Sequence, residues 1–421
     1  SAGDQRAWHL MEWPASAYLA GSAWRIFGGS LDVWGRGISI ACSAASVIFI
    51  FFLGRRWFGE TAGLAAALVM GFAPVSVIYG QTFLLEPSIA ALSLAAVYGF
   101  DSWLADGKRR WLTIAAVCFS LAVATKIYVL LLAGPLVVRW WTVGGPRRRA
   151  VPTVAALALF TVALAPTVAW YFHVAQIAAD SGPAAEFHPL SRAGVHALPS
   201  PLLASGAFYV RLAKDFAGVA LTPLGSLLAV VGLCDRRGRA VWPWLGVAAL
   251  LVVLLPLKFF HANYYYLVLL PPLALSAGVG WQRLAERGWI GRRTAIAAVV
   301  FSLGVSARLS IAPAFITPEE DRTVTTAAAA LREIAGSDEP VATLHGATID
   351  LLYYCDRRGW ALNADDPQLA ARLDEARSRG ARHLVVAAAA DAERRSPWFK
   401  SQSASWPIVR SGDDWRVYRI E

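Results

Sequence analysis

Long apolar runs separated by arginine clusters decide what this chain can become. Near-uncharged stretches of about 18 residues or more cross a bilayer as helices, because a helix satisfies its own backbone hydrogen bonds in hydrocarbon. Such stretches occupy 36–53, 61–79, 151–171, 241–257, 264–281 and 294–311. Two weaker ones lie at 88–104, which is slightly short, and at 217–233, which contains Pro223. Hydrophobic residues make up 57% of the chain and charged residues 16%, against about 25% charged in a soluble domain. The reading is a polytopic α-helical membrane protein of about 8–10 membrane helices.

The net charge of +10 does not mark a nucleic-acid binder. Basic residues cluster at Arg55-Arg56, Lys108 to Arg110, Arg147 to Arg149, Arg236 to Arg239 and Arg283 to Arg293, each between apolar spans. Lys and Arg collect in short cytoplasmic loops, so the clusters are topology signals. Span 61–79 then runs outward and 88–104 returns. The apolar stretch 111–141 is broken at Thr125-Lys126. Its halves, 111–124 and 127–141, make two short spans or a re-entrant hairpin, and either leaves Arg147 to Arg149 inside. Span 151–171 leads out to a loop at 173–216. Span 217–233 returns, 241–257 goes out, 264–281 returns and 294–311 goes out.

Residues 1–35 fall outside under this topology, as part of a first outer loop with an interfacial helix around Tyr18–Phe27. The membrane domain is 36–313. From 314 to 421 charges become frequent and the pattern alternates, which indicates a small extracytoplasmic α/β domain. Its helices are expected from Thr317-Pro318-Glu319-Glu320 to about Ala335, at Thr348–Tyr354 and at Gln368–Arg379. Its strands are expected at Val341–Leu344, His383–Ala388, Ile408–Arg410 and Arg416–Ile420. The protein is placed in a plasma or inner membrane. The four cysteines form neither a disulfide framework nor a zinc spacing. The opening Ser1-Ala2-Gly3-Asp4, with no Met and no leading span, reads as a fragment whose start lies upstream.

Glu86 stands between two spans, in Tyr79-Gly80-Gln81-Thr82-Phe83-Leu84-Leu85-Glu86-Pro87. A carboxylate there is costly and is more often kept for chemistry than for packing. The chain has only five lysines, and Lys126, Lys214 and Lys258 fall at outer span ends, against the loop bias. An anionic ligand explains Lys126 and Lys258 better than snorkelling. His261 and Tyr264–Tyr266 share that level, and Glu12 and His9 can join from the first loop. An anionic lipid-phosphate donor and a polar acceptor need this mixture. Cations stabilise the departing phosphate. A carboxylate takes the acceptor's proton or holds a divalent cation. Aromatic faces suit sugar rings. The plainer alternatives are that Glu86 opens a helix, where an acid is favourable by about 0.3–1 kcal/mol, and that the tyrosines are interfacial belt residues.

These motifs resemble a family. Arg55-Arg56-Trp57-Phe58-Gly59, Tyr79-Gly80-Gln81 and Leu84-Leu85-Glu86-Pro87 look like the core of the GT-C membrane glycosyltransferases, of the protein O-mannosyltransferase and aminoarabinose-transferase type. Thr125-Lys126, Lys258 to Tyr266 running into Leu270-Pro271-Pro272-Leu273-Ala274, and Glu12-Trp13-Pro14 resemble further segments of it, in the family's order. The tail resembles its small extracytoplasmic domain. The resemblance implies inverting transfer from a polyprenyl-phosphate sugar to an unidentified lipid, glycan or protein acceptor at the outer face. It implies Glu86 as a substrate- or metal-associated acid, Lys126 and Lys258 as cations near the donor phosphate, and His261 as a polar residue of the donor pocket. Tyr264 and Tyr265 are candidate substrate contacts. The family's principal acids are an Asp-Glu pair in the first outer loop. Residues 1–35 contain no such pair, and Glu12 is the weaker candidate for that role. The rival readings are a lipid or solute transporter, and an inert relative that binds lipid-linked sugar.

Overall fold

A computed structural model of the chain describes residues 12–143, 150–180, 200–287, 292–316, 319–346 and 349–420. It separates into two compact units, Ser1–Pro313 and Ala314–Glu421.

The first unit is a helical bundle. Its helices are α1 (Ala15–Phe27), α2 (Leu31–Phe58), α3 (Glu60–Phe72), α4 (Pro74–Tyr79), α5 (Glu86–Asp106), α6 (Arg109–Thr125), α7 (Ala133–Val143) and α8 (Ala150–Asp180). After these come α9 (Gly206–Asp215), α10 (Pro223–Leu233), α11 (Trp242–Leu254), α12 (Pro256–His261), α13 (Tyr266–Glu286) and α14 (Arg292–Ser306). Among the described residues, five helical segments are long and apolar enough to cross a membrane alone: Leu31–Phe58, Glu86–Asp106, Thr153–Gln176, Arg237–Leu254 and Ala297–Phe315. The further apolar segments are broken or short. Pro74 separates α3 from α4. Gly206–Ala220 and Pro223–Leu233 meet at 106°, where the chain must accommodate Pro223.

Two expectations are corrected in detail. The stretch 173–216 is not one long loop: α8 continues to Asp180, a 3₁₀ turn covers Pro201–Ala204, and α9 follows. His188 and His196 lie outside the described residues, as do Asp4 and His9. The stretch 127–141 is not a uniform helix, because it opens with a 3₁₀ segment at Ile127–Leu132 before α7.

Small residues hold the bundle together. Helices in lipid gain little from hydrophobic burial against each other, so they associate where small side chains let backbones approach. Gly232 of α10 lies against the Ser276 carbonyl of α13, and Gly280 of α13 lies against the Leu228 carbonyl of α10. Gly278 meets the Ala62 carbonyl of α3 in the same way. The α5 helix is the central strut, with most of its side chains buried. The long helices α8 and α14 instead leave Val154, Leu157, Val162, Val300 and Phe301 exposed, as lipid-facing helices do.

The second unit is an α/β domain. Its helices are α15 (Glu319–Ile334), α16 (Asp350–Cys355), α17 (Leu369–Ser378), α18 (Ala389–Arg395) and α19 (Pro397–Ser403). Its strands are β1 (Val341–Leu344), β2 (Gly359–Leu362), β3 (His383–Ala387), β4 (Ile408–Ser411) and β5 (Trp415–Arg419), in sheet order β2-β1-β3-β5-β4. β1 pairs in parallel with β2 and β3, while β5 pairs antiparallel with β3 and β4. Leu331, Leu351 and Cys355 pack with Val385 and Val417 in one core, and Leu373, Ala392 and Phe399 pack with Leu384 and Tyr418 in another. The α/β character expected of the tail is observed. Strand β2, with its exposed and half-buried residues, and the short helices α18 and α19 were not anticipated. Thr317 and Pro318 lie outside the described residues.

A Cβ at position 232 would run into the Ser276 carbonyl. Gly232→Val therefore forces α10 away from α13, at a cost of about 1–3 kcal/mol. A lowered melting temperature of the membrane-extracted protein is the expected outcome; Gly218→Ala, where a Cβ meets nothing within 4 Å, is the control.

Candidate functional site

The site forms where three helices begin or end at one level of the bundle. Helix α6 stops at Thr125, and Lys126 adopts an extended conformation (φ −147°, ψ 120°) before the 3₁₀ segment starts. The last carbonyls of any helix lack intrahelical partners. Here the Trp13 amide donates to the Ala124 carbonyl at 3.1 Å, and the Tyr171 hydroxyl of α8 donates to the Val123 carbonyl at 3.1 Å. The first of these bonds lays Glu12 beside Lys126. The Ser16 and Ser88 hydroxyls, 3.1 Å apart, tie α1 to the first turn of α5.

Glu86 is the first residue of α5 and is 1% exposed. Its Oε1 lies 2.8 Å from Lys126 Nζ. Glu12 Oε1 lies 3.0 Å from the same Nζ, and Nζ also donates to the Tyr265 hydroxyl at 3.3 Å. An ammonium has three N–H donors, and Lys126 turns its charge to these three oxygens inside the protein. The Tyr264 and Tyr265 rings stack at 4.9 Å, on a 3₁₀ turn at Asn263–Tyr265, and Tyr79 meets Tyr264 edge-on. The Tyr264 ring also lies 5.9 Å from Nζ, within cation–π range.

The structure brings together Glu12, Glu86, Lys126, Tyr264 and Tyr265, so most of the predicted residues converge. Two carboxylates face one ammonium. Lys258 is close enough to act on Glu12 electrostatically. It is exposed, and among the described residues it forms no ion pair. His261, one turn further along α12, is also exposed. Its ring is edge-on to Phe260, and no hydrogen bond joins it to the cluster. Lys214 lies in the last turn of α9, outside the cluster's hydrogen bonds.

Burial pushes the Glu12 carboxyl above the ordinary carboxylate range, and the neighbouring Lys126 offsets only part of that rise. Among the described residues no group of three His, Cys, Asp or Glu side chains could hold a metal ion. The two carboxylates alone do not complete the donor set of a divalent cation.

The sequence did not reveal every participant. Tyr128 places its hydroxyl among buried groups without a hydrogen-bond partner, and acts electrostatically on Lys126. Tyr171 matters only because α6 ends where it does. Asp215, an acid at the end of α9, accepts from the fully buried Tyr266 hydroxyl at 3.4 Å and pairs with Arg211 at 3.5 Å. This pair gives Tyr266 a packing and hydrogen-bonding role instead of the interfacial one.

Comparison with known proteins agrees with this architecture. Residues 12–172 match the family model described as dolichyl-phosphate-mannose-protein mannosyltransferase. The chain superposes on ArnT from Cupriavidus metallidurans bound to undecaprenyl phosphate with a TM-score of 0.64 at 15% identity, covering 96% of this chain and 87% of that one. The apo state of the same enzyme gives 0.63, with 97% and 87% covered. The apo oligosaccharyltransferase from Archaeoglobus fulgidus gives 0.54 at 13% identity, covering 89% of this chain and 61% of that one. A search of curated proteins gave no match. The fold is that of the GT-C membrane glycosyltransferases, as the sequence resemblance implied.

Removing Lys126 strands the buried Glu86. Breaking a buried pair in this way costs about 3–5 kcal/mol. Lys126→Met is expected to destabilise the bundle strongly, and adding Glu86→Gln is expected to recover much of the loss. Thermal unfolding of the single and double variants measures the coupling.

Proposed function

We propose that the protein transfers a sugar from a polyprenyl-phosphate donor to a hydroxyl or amine acceptor at the non-cytoplasmic membrane face, with inversion at the anomeric carbon. The single observation that supports this most is Lys126 held between Glu86 and Glu12 beside stacked tyrosines, at one end of a bundle with the GT-C fold. A membrane bundle that positions paired carboxylates and a free lysine at one level suits a donor whose lipid tail stays in the bilayer. The ArnT structure contains undecaprenyl phosphate, a lipid of this chemical class.

The geometry supports a division of roles among these residues. Lys126 is buried between two carboxylates, so its work is to hold them. Lys258 is exposed and forms no ion pair among the described residues, and it takes the donor phosphate, with His261 on the next turn as a second polar contact. Glu12 has the more accessible carboxyl, 33% exposed against 2% for Glu86. It therefore accepts the proton as the acceptor's nucleophilic atom attacks C1 of the sugar. The C1–O bond breaks on the opposite side, and polyprenyl phosphate leaves with the bond's electron pair, its charge held by Lys258. Glu86 fixes Lys126, and through it the orientation of Glu12. Positioning and phosphate stabilisation supply the rate. The tyrosine faces flank the sugar.

A transporter would need ionisable groups near the middle of its spans. The ionisable side chains of the described spans gather near the ends instead: Glu86 opens α5, Lys126 follows α6 and Asp215 closes α9. This placement favours group transfer.

Glu12→Gln and Glu86→Gln are each expected to lower turnover by about 10²–10⁴-fold while membrane insertion persists. Full activity of both variants with undecaprenyl-phosphate sugars would refute the carboxylate roles. Lys258→Ala is expected to weaken undecaprenyl phosphate binding about tenfold, which is about 1.4 kcal/mol, as read by native mass spectrometry. The pH dependence has a definite sign. Glu12 must be ionised to accept a proton, and burial raises its pKa. Turnover should therefore fall on acidification at a pH above the ordinary 4.5 of a glutamate, and Glu12→Gln should abolish that limb.

A further inference from the structure

A second buried ion pair joins the two elements that carry the site, at their other end. Asp101 of α5 is 3% exposed, and its Oδ1 accepts from Arg139 Nε of α7 at 2.7 Å. Its Oδ2 lies 3.4 Å from Arg56 Nη1 of α2, which also donates to the Ser102 hydroxyl at 2.7 Å. The Arg139 guanidinium sits over the Trp57 ring at 4.6 Å, and that of Arg56 over Tyr98 at 5.0 Å.

The two ion pairs are matched in chain direction and in length. Asp101 follows Glu86 by fifteen residues of α5, about 22 Å at about 1.5 Å per residue. Arg139 follows Lys126 by six 3₁₀ residues and seven α-helical ones, again about 22 Å at about 2.0 and 1.5 Å per residue. Helix α5 thus supplies both acids, Glu86 and Asp101. The segment from Lys126 to Val143 supplies both bases, Lys126 and Arg139. Sliding this segment along α5 breaks both pairs at once.

We infer that Asp101 and Arg139 are positioning residues, which set the height of Lys126 against Glu86 from the opposite end of the bundle. The 3₁₀ segment between Lys126 and α7 explains the need for such an anchor. A 3₁₀ run of six residues is long for its weaker hydrogen bonds, and on its own it would not fix where Lys126 falls. Arg139 fixes the far end of the segment on a rigid central helix. Arg56 keeps Asp101 compensated if Arg139 is lost, so removing Arg139 releases the strut without leaving a buried charge alone.

The five lysines, Lys108, Lys126, Lys214, Lys258 and Lys400, make the test direct. The full chain in lipid nanodiscs is labelled with acetic anhydride, and acetylation at each lysine is followed by mass spectrometry. In the unaltered protein Lys126 is protected and Lys258 reacts. Arg139→Gln and Asp101→Asn are each expected to raise the Lys126 rate about tenfold through local opening, with Lys214 and Lys258 unchanged. Arg139→Lys, which keeps the charge, is expected to restore protection. An exposed inner-loop pair, Arg237 with Glu286 at 2.6 Å, supplies the control, since Arg237→Gln should leave Lys126 protected. Unchanged Lys126 protection in folded Arg139→Gln overturns the inference. So does a rise at all five lysines together, which marks general destabilisation. The readout needs neither donor nor acceptor, so its failure is separable from failure of the glycosyl-transfer reading.

Discussion

One buried ammonium organises the end of this bundle where Glu12, Glu86 and the stacked tyrosines meet. Lys126 is the extended residue between an α-helix and a 3₁₀ segment, and its charge would be prohibitive at that depth without partners. Glu86 supplies a buried counter-charge and Glu12 a more accessible one. Each of the three depends on the others. Glu86 is tolerable because Lys126 and the start of α5 offset its charge. Glu12 is held because Lys126 and the Trp13 amide bond draw its segment in. The cluster is therefore a folding constraint, and the chemistry proposed for it needs the same geometry.

The same economy accounts for the unequal treatment of the two outer lysines. A lysine buried between two carboxylates cannot readily meet a phosphate. A lysine at the exposed end of a short helix can, and Lys258 has that position on α12. Polar placement follows from this division. The buried charges fix one another, and Lys258, which forms no ion pair among the described residues, is left exposed. His261 belongs with Lys258 by its exposure and its place on the same short helix.

Much of this was legible in the sequence because hydrocarbon enforces simple rules. Apolar length located α2, α5, α8, α11 and α14, since each must span the same thickness. The break at Thr125-Lys126 was visible because a lysine cannot sit unpaired mid-span. Glu86 stood out for the same reason. What the sequence hid were contacts that depend on where a helix stops. Helix α8 runs on to Asp180 and α9 begins at Gly206, both inside 173–216, a region whose prolines suggested loop. Tyr171 and the Trp13 amide matter only through the carbonyls that α6 leaves free. The pairing of Asp215 with Tyr266 needed the fold to bring α9 against α13. In the tail, β2 was missed because its residues are mostly exposed or half-buried and lack the alternation that marks a strand.

The arginine clusters illustrate the limit of a rule that works. The positive-inside bias treats Arg56 as one more topology signal, and for Arg55 nothing further is needed. Yet Arg56 also reaches a buried aspartate on the central helix, with Arg139 on the other side of it. Topology alone would be served by charges in water. A carboxylate buried between two guanidiniums costs desolvation that a surface charge avoids, and two aromatic faces are committed to the arrangement as well. Such a cost is repaid where a helix must not slide. The strut that needs fixing here is the one beginning at Lys126, and its far end is where Asp101 holds it.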